Sequence, residues 1–359
     1  MMDQDENFSP AYVQMHLPLF SFFSKCSMKR KLCWNIILMV LIGQTIYDQT
    51  FIHFTLTFDS QRVLFIRFLA EDIILFYILI THQWTFRDSI MNEIHQLWLN
   101  IELPSNQFNN SFVFRKRLRF KIIFFMFFLI IAISWMIRDQ LPLPTDWISF
   151  IQVMYRLIYR ILIVTFFCCL HFCLLVDSTI LITASFNYIN HLISIQVEKG
   201  PNLQEIKKIR RIYSETIRLT DYLARTLDVF VSIVYLHFAI CLICASYQLI
   251  INDYIFDRHL SSIISHYMGP SVILHMTFSL IQINIKSYLC LNDLYKLTLF
   301  NESADMKFEL IMFIHRVTRN DIGFKFFKST LIGPNFFSTL FTIMLTIFFA
   351  GLSFIIRDV

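Results

Sequence analysis

The chain has 359 residues, of which 56% are hydrophobic and only 16% charged, with 40 phenylalanines. A soluble domain of that length needs a polar exterior that this composition does not supply, so the bilayer is its natural solvent. The formal net charge of +5 would point to nucleic acid in a soluble protein, but here the sidedness of the basic residues accounts for it and excludes that class.

Apolar runs long enough to cross a bilayer, about 20 residues each, fall at 32–53, 62–82, 119–137, 147–183, 228–251, 262–290 and 330–356. Before the first run stand Lys25, Lys29, Arg30 and Lys31. That run lacks the short length and small-residue cleavage site of a signal peptide, so it is expected to act as an uncleaved signal anchor. The second connection carries Arg87, Arg115, Lys116, Arg117, Arg119 and Lys121. The fourth carries Lys199, Lys207, Lys208, Arg210, Arg211, Arg218 and Arg225, and the sixth Lys286, Lys296, Lys307, Arg316, Arg319, Lys325 and Lys328. The other connections and the C-terminus hold only Arg62, Arg138, Arg258 and Arg357. Excess Lys and Arg mark the cytoplasmic side. The expected fold is therefore an all-α membrane protein formed by one domain over 1–359, with seven transmembrane helices. Its N-terminus is cytoplasmic and its C-terminus extracellular, the reverse of a G-protein-coupled receptor.

The runs at 147–183 and 262–290 exceed a bilayer's need, so they are expected to tilt or to continue into the cytoplasm. The inner connection after the fourth run breaks at Gly200-Pro201, the strongest punctuation in the chain. Beyond it Ile206, Ile209, Ile212, Tyr213, Ile217, Leu219, Leu223 and Leu227 recur at helical steps with charges on the other face. Such a helix lies on lipid headgroups or packs on other cytoplasmic helices; its continuity with the fifth run favours packing. Residues 304–328 show a similar pattern, with Phe308, Leu310, Ile311, Phe313 and Ile314 as the stripe. These helical extensions are expected to form a cytoplasmic anchor that holds subunits together, with Leu310 and Phe313 at the subunit contact.

No GxSxG, HExxH, Walker or GxGxxG motif occurs, and six glycines leave little for phosphate-cradling loops. An enzyme is not expected, and no cofactor or metal is implied. The eight cysteines avoid the expected outer loops, so no disulfide is expected and small buried side chains are the simpler reading. Polar residues inside spans carry the functional interest. Arg67 and Glu71 stand at i, i+4, either as an internal ion pair or as a cavity wall. Tyr155, Arg156 and Tyr159 are interfacial anchors or line the same cavity. Tyr235, Tyr247, Tyr267 and His275 complete a candidate outward-open aromatic pocket, and Asp177 is a structural partner or a gate.

Seven spans, an inside N-terminus, long inner loops and a short C-terminal tail resemble the insect gustatory and odorant receptor superfamily. The gustatory branch, with its gustatory-receptor-like members, is the closer resemblance. Its local marks are Phe186-Asn187-Tyr188-Ile189-Asn190-His191-Leu192, and Ile212–Ile217 leading into Leu223–Phe230. The family's last-span pattern, Thr-Tyr, five hydrophobics, Gln-Phe, aligns with Thr346-Ile347, then Phe348–Leu352, then Ser353-Phe354. Ile347 and Ser353 replace Tyr and Gln, which makes a drier pore, and hydrophobic constrictions gate by dewetting.

The resemblance implies a homo- or heterotetramer around a central pore lined by the last helix, with Thr346, Ile347, Ser353 and Phe354 at that pore. It implies a small-molecule tastant bound among the outer halves of the other helices, and cation flow in response. The expected setting is the plasma membrane of chemosensory neurons, in dendrites or cell bodies. A G-protein-coupled-type chemoreceptor and a transporter are the alternatives. The charge bias and the absence of Asn-Pro-x-x-Tyr oppose the first, and the absence of repeats opposes the second.

Overall fold

The structure is a computed structural model that describes residues 87–101, 169–251, 260–300 and 303–357, with Val40, Gly43, Tyr77, Thr81, Thr85, Ile122 and Trp147. Its elements are α1 (Asp88–Asn100), α2 (Cys169–Lys199), α3 (Leu203–Ile251), α4 (Leu260–Tyr288), α5 (Leu291–Leu297), α6 (Ala304–Thr318), strands β1 (Lys325–Phe326) and β2 (Thr330–Leu331), and α7 (Pro334–Arg357). Among the described residues, His171–Lys199 and Leu203–Ile240 are long and apolar enough to cross a membrane.

The fourth apolar run does continue as helix, whereas the helix of the sixth, α4, ends at Tyr288 within its run. α2 passes the end of the fourth run and stops at Lys199, where Gly200 takes φ +88°, a left-handed conformation that glycine adopts without a Cβ clash. Asn202 then opens α3. Its Oδ1 accepts from the backbone N–H groups of Gln204 (2.9 Å) and Glu205 (3.3 Å), satisfying two orphan donors of the first turn. The 49 residues of α3 span roughly 74 Å at 1.5 Å per residue, far more than a bilayer core of about 30 Å. Its first half is the amphipathic segment read from sequence. Every residue of that stripe, from Ile206 to Leu227, is buried in one core with α2, α4, α5 and α6. The stripe packs on protein.

Tyr213 sits at the centre of this core. Its ring meets the edge of Phe186 (5.7 Å between centroids) and the ring of Phe313 (5.1 Å). Its hydroxyl donates to the Ser287 carbonyl at 3.1 Å, and the Asn190 amide donates to the Lys286 carbonyl at 3.1 Å. Two carbonyls of the last turn of α4 are thus satisfied by side chains from α2 and α3. Burial pushes the Tyr213 phenol far above its ordinary range, so it remains the donor at any physiological pH.

Two expectations need correction. The helix expected over 304–328 ends at Thr318. Asn320 follows at φ +45°, a left-handed stop that asparagine tolerates better than most residues, and the chain then turns into the β1–β2 hairpin. Accordingly, the last helix starts at Pro334 rather than 330, with proline at the first helical position, where its missing N–H costs nothing. Second, Leu310 and Phe313 do not face a neighbouring subunit. With Met306 and Val317 they form the buried side of α6 inside the protomer, which an Arg210–Glu309 ion pair (2.9 Å) ties to α3. The exposed apolar side of α6 is Phe308, Ile311 and Met312, the first two 63% and 60% exposed.

Candidate functional site: the final helix and its joint

The hairpin is a socket that fixes the base of α7. Its strands pair antiparallel, Lys325 with Leu331 and Phe326 with Thr330. From α4, Asn284 donates through Nδ2 to the Asn320 Oδ1 (2.9 Å) and the Ile322 carbonyl (3.1 Å). Two glycines let the chain close over that amide. Gly323 has φ +145°, and a Cβ there would meet Leu331 at 3.1 Å; a Cβ on Gly333 would meet the Asn284 Oδ1 at 3.4 Å. From α3, the Ser232 hydroxyl accepts from the Phe327 N–H at 2.7 Å.

An aromatic cluster completes the socket. Phe336, in the first turn of α7, packs on Tyr235 of α3 (5.3 Å) and on Phe326 of β1 (5.6 Å), and Tyr235 also meets Phe326 edge-on at 6.4 Å. Tyr235 is fully buried, its Oη 2.7 Å from the Thr277 Oγ1 of α4. Thr277 gives its only proton to the Ile273 carbonyl, so Tyr235 is the donor. Removing that hydroxyl as Tyr235→Phe is expected to cost about 1 kcal/mol. Truncation to alanine is expected to cost about 3–5 kcal/mol. Thermal unfolding of the purified variants reads both, and equal melting temperatures would mean that Tyr235 does not brace this joint.

Beyond the first two turns the described side chains of α7 are exposed. Phe341, Thr342, Ile343, Leu345, Thr346 and Phe349 are all exposed. At 3.6 residues per turn, the polar residues of the helix, Asn335, Ser338, Thr339, Thr342, Thr346, Ser353 and Arg357, fall within one sector of about 100°. The rest of the surface is apolar. The Thr346 hydroxyl donates to the Thr342 carbonyl, and Thr342 to the Ser338 carbonyl, both at 2.8 Å. With their protons turned back into the helix, these oxygens present lone pairs outward, the arrangement that suits a cation. Phe349 lies in the same sector between Thr346 and Ser353 and is 61% exposed.

Of the pore residues read from the sequence, Thr346 is exposed on this sector. Ile347, Ser353 and Phe354 belong to α7, their side chains outside the described residues. Of the pocket residues, Tyr235 supports α7 as above, and His275 is exposed on α4. Tyr247 lies in α3 and Tyr267 in α4, their side chains outside the description, as are Arg67, Glu71, Tyr155, Arg156 and Tyr159 altogether. Asp177 is half-buried in α2. Sequence reasoning passed over Ser338, Thr339 and Thr342 because it followed a motif near the C-terminus. The four-residue recurrence of Ser338, Thr342 and Thr346 was the available signal.

No family model matches the chain, and no curated protein matches it. Solved structures do. The insect olfactory receptor OR5 from Machilis hrabei, in complex with eugenol, superposes with a TM-score of 0.70 at 13% identity, covering 91% of this chain and 90% of the receptor. A second structure of the same receptor gives a TM-score of 0.65 at 12% identity, with the same coverage. The chain has the fold of an insect chemoreceptor.

Proposed function

We propose that this chain is a subunit of a ligand-gated cation channel of the insect chemoreceptor superfamily. It spans the plasma membrane seven times, and four subunits surround a pore lined by α7. The single observation that carries this reading is the polar sector of α7, which stands exposed on an otherwise apolar helix. A row of hydroxyl oxygens on one side of an apolar helix suits a shared aqueous path. The exposed Phe308, Ile311 and Met312 of α6, with Tyr295 of α5 and Leu299 just past its end, supply an apolar cytoplasmic surface for the neighbouring subunit.

A small molecule opens the pore, in keeping with the eugenol-bound receptor of the same fold. The closer resemblance of the sequence to the gustatory branch favours a tastant and a gustatory neuron over an odorant. Current recording from cells expressing the chain, alone and with related subunits, tests the proposal. Ligand-evoked cation current supports it. Ligand responses that require a G protein and carry no direct current refute it.

Orientation is tested separately. The sequons at Asn7, Asn109 and Asn301 all fall on segments placed in the cytoplasm, beyond reach of the glycosylation machinery. The chain is expected to run unchanged after glycosidase treatment. A mobility shift abolished by Asn109→Gln would reverse the proposed topology.

A further inference from the structure

We propose that the tip of the β1–β2 hairpin is a binding site for anionic lipid headgroups of the cytoplasmic leaflet, with Phe327 as the wedge and Lys325 and Lys328 as the charge contacts. The inference rests on the membrane reading of the chain and is independent of conduction.

The tip is built against local preference. Phe327 and Lys328 hold consecutive positive φ values of 45° and 59°. A water-facing turn of this kind favours asparagine and glycine, which reach the left-handed region at little cost. Phenylalanine has neither advantage, and its ring is 49% exposed. Strain of this sort persists only where surrounding structure enforces it, and here the enforcement is visible. The Phe327 N–H is anchored to Ser232, and its ring leans on Phe326 at 4.8 Å, which the Tyr235–Phe336 cluster holds in turn.

The depth of the tip matches the headgroup layer. Ser232 lies four residues past Asp228, where α3 turns apolar, a rise of about 6 Å. α7 leaves for the membrane three residues after β2. Aromatic rings are favoured at this boundary, and lysine stems extend along apolar surface to place their ammonium groups in the headgroups.

The local charge points the same way. Lys325 and Lys328 are exposed and form no ion pair among the described residues, and Arg225 is exposed on α3. Of the acidic groups of the neighbourhood, Asp228 is turned inward, Asp321 is paired and Asp221 is exposed. Asp228 is 2% exposed, and the backbone N–H of Lys328 and the charges of Lys328 and Lys325 act on it from the hairpin. Asp321 is paired with Arg316 (2.8 Å) and Arg319 (3.4 Å). Asp221 on α3 feels the charges of Arg316, Arg225 and Lys325. What the hairpin presents outward is an aromatic ring between two lysines, the complement of an anionic bilayer surface.

The test uses the full chain in lipid nanodiscs. Phe327→Trp conserves an aromatic tip and adds one fluorophore to the five native tryptophans. Lipids brominated near the carbonyl end of the acyl chain should quench the added emission by more than half. Quenching should be stronger with phosphatidylserine than with phosphatidylcholine alone, and Lys325→Gln with Lys328→Gln should remove that difference. The same pair should abolish the rise in melting temperature given by phosphatidylserine, while Arg211→Gln, an exposed charge deeper in the cytoplasm, should retain it. An added tryptophan left unquenched by every lipid would show the tip covered by another subunit and overturn the proposal. Quenching indifferent to lipid charge and to both lysines would overturn the headgroup site as well.

Discussion

Phe349→Thr should give a channel that leaks without ligand, and the paired change Thr342→Val with Thr346→Val should nearly silence it. Both follow from the polar sector of α7. Phe349 interrupts a line of oxygens between Thr346 and Ser353. If α7 lines the proposed pore, the apolar stretch from Ile347 to Leu352, about 9 Å long, would close it by shedding water. A hydroxyl in its middle should keep that water in place. The valine pair preserves side-chain shape and removes two outward-facing oxygens. Contacts of polar oxygens with a charged species are worth about 1.5–3 kcal/mol each, so conductance should fall roughly ten- to a hundredfold for each. Ser353→Gln should raise it, because an amide presents a larger dipole. Phe341→Leu, off the sector, should leave the current–voltage curve as it is. Patch-clamp recording reads all four. Unchanged curves throughout would remove α7 from the conduction path.

Substitutions on the two sides of α6 should separate folding from assembly. Phe308→Glu with Ile311→Glu should yield a folded, membrane-inserted protomer that runs as a monomer on native gels, because both side chains are exposed on the protomer. Leu310→Asp should yield no stable protein. Leu310 is fully buried; truncating such a leucine costs about 2–5 kcal/mol, and a carboxylate forced into the same core costs more. That approaches the roughly 5–15 kcal/mol by which a native protein is stable. A monomer from Leu310→Asp, or an intact oligomer from the glutamate pair, would reverse the assignment of the two faces.

Much of this was legible from residues alone. The apolar runs and the sidedness of lysine and arginine carry the expectation of a membrane chain, because the bilayer punishes misplaced charge at every position independently. The stripe from Ile206 to Leu227 was legible because helical period is a local property, and Gly200 marked its boundary because a left-handed residue stops a helix wherever it stands.

Other features depended on contacts between residues far apart in the chain. Within α6 the stripe read from the sequence, Phe308, Leu310, Ile311, Phe313 and Ile314, covers more than one face of the helix. Only the position of Tyr213 and the rest of the core chose Leu310 and Phe313 for the interior. The hairpin was invisible for the same reason. Two strands of two residues have no periodicity to read, and what holds them, Asn284 reaching Asn320 and Ile322 and Ser232 reaching Phe327, comes from helices tens of residues away. Tyr235 could be placed on an aromatic face from the sequence, but its role in bracing α7 appears only when Phe326 and Phe336 arrive beside it. Local chemistry determined which segments are helical and which solvent they require. Long-range packing decided which of several equally apolar faces is buried, and where the last helix is hinged, because the free energy of burial depends on a partner that the segment itself does not specify.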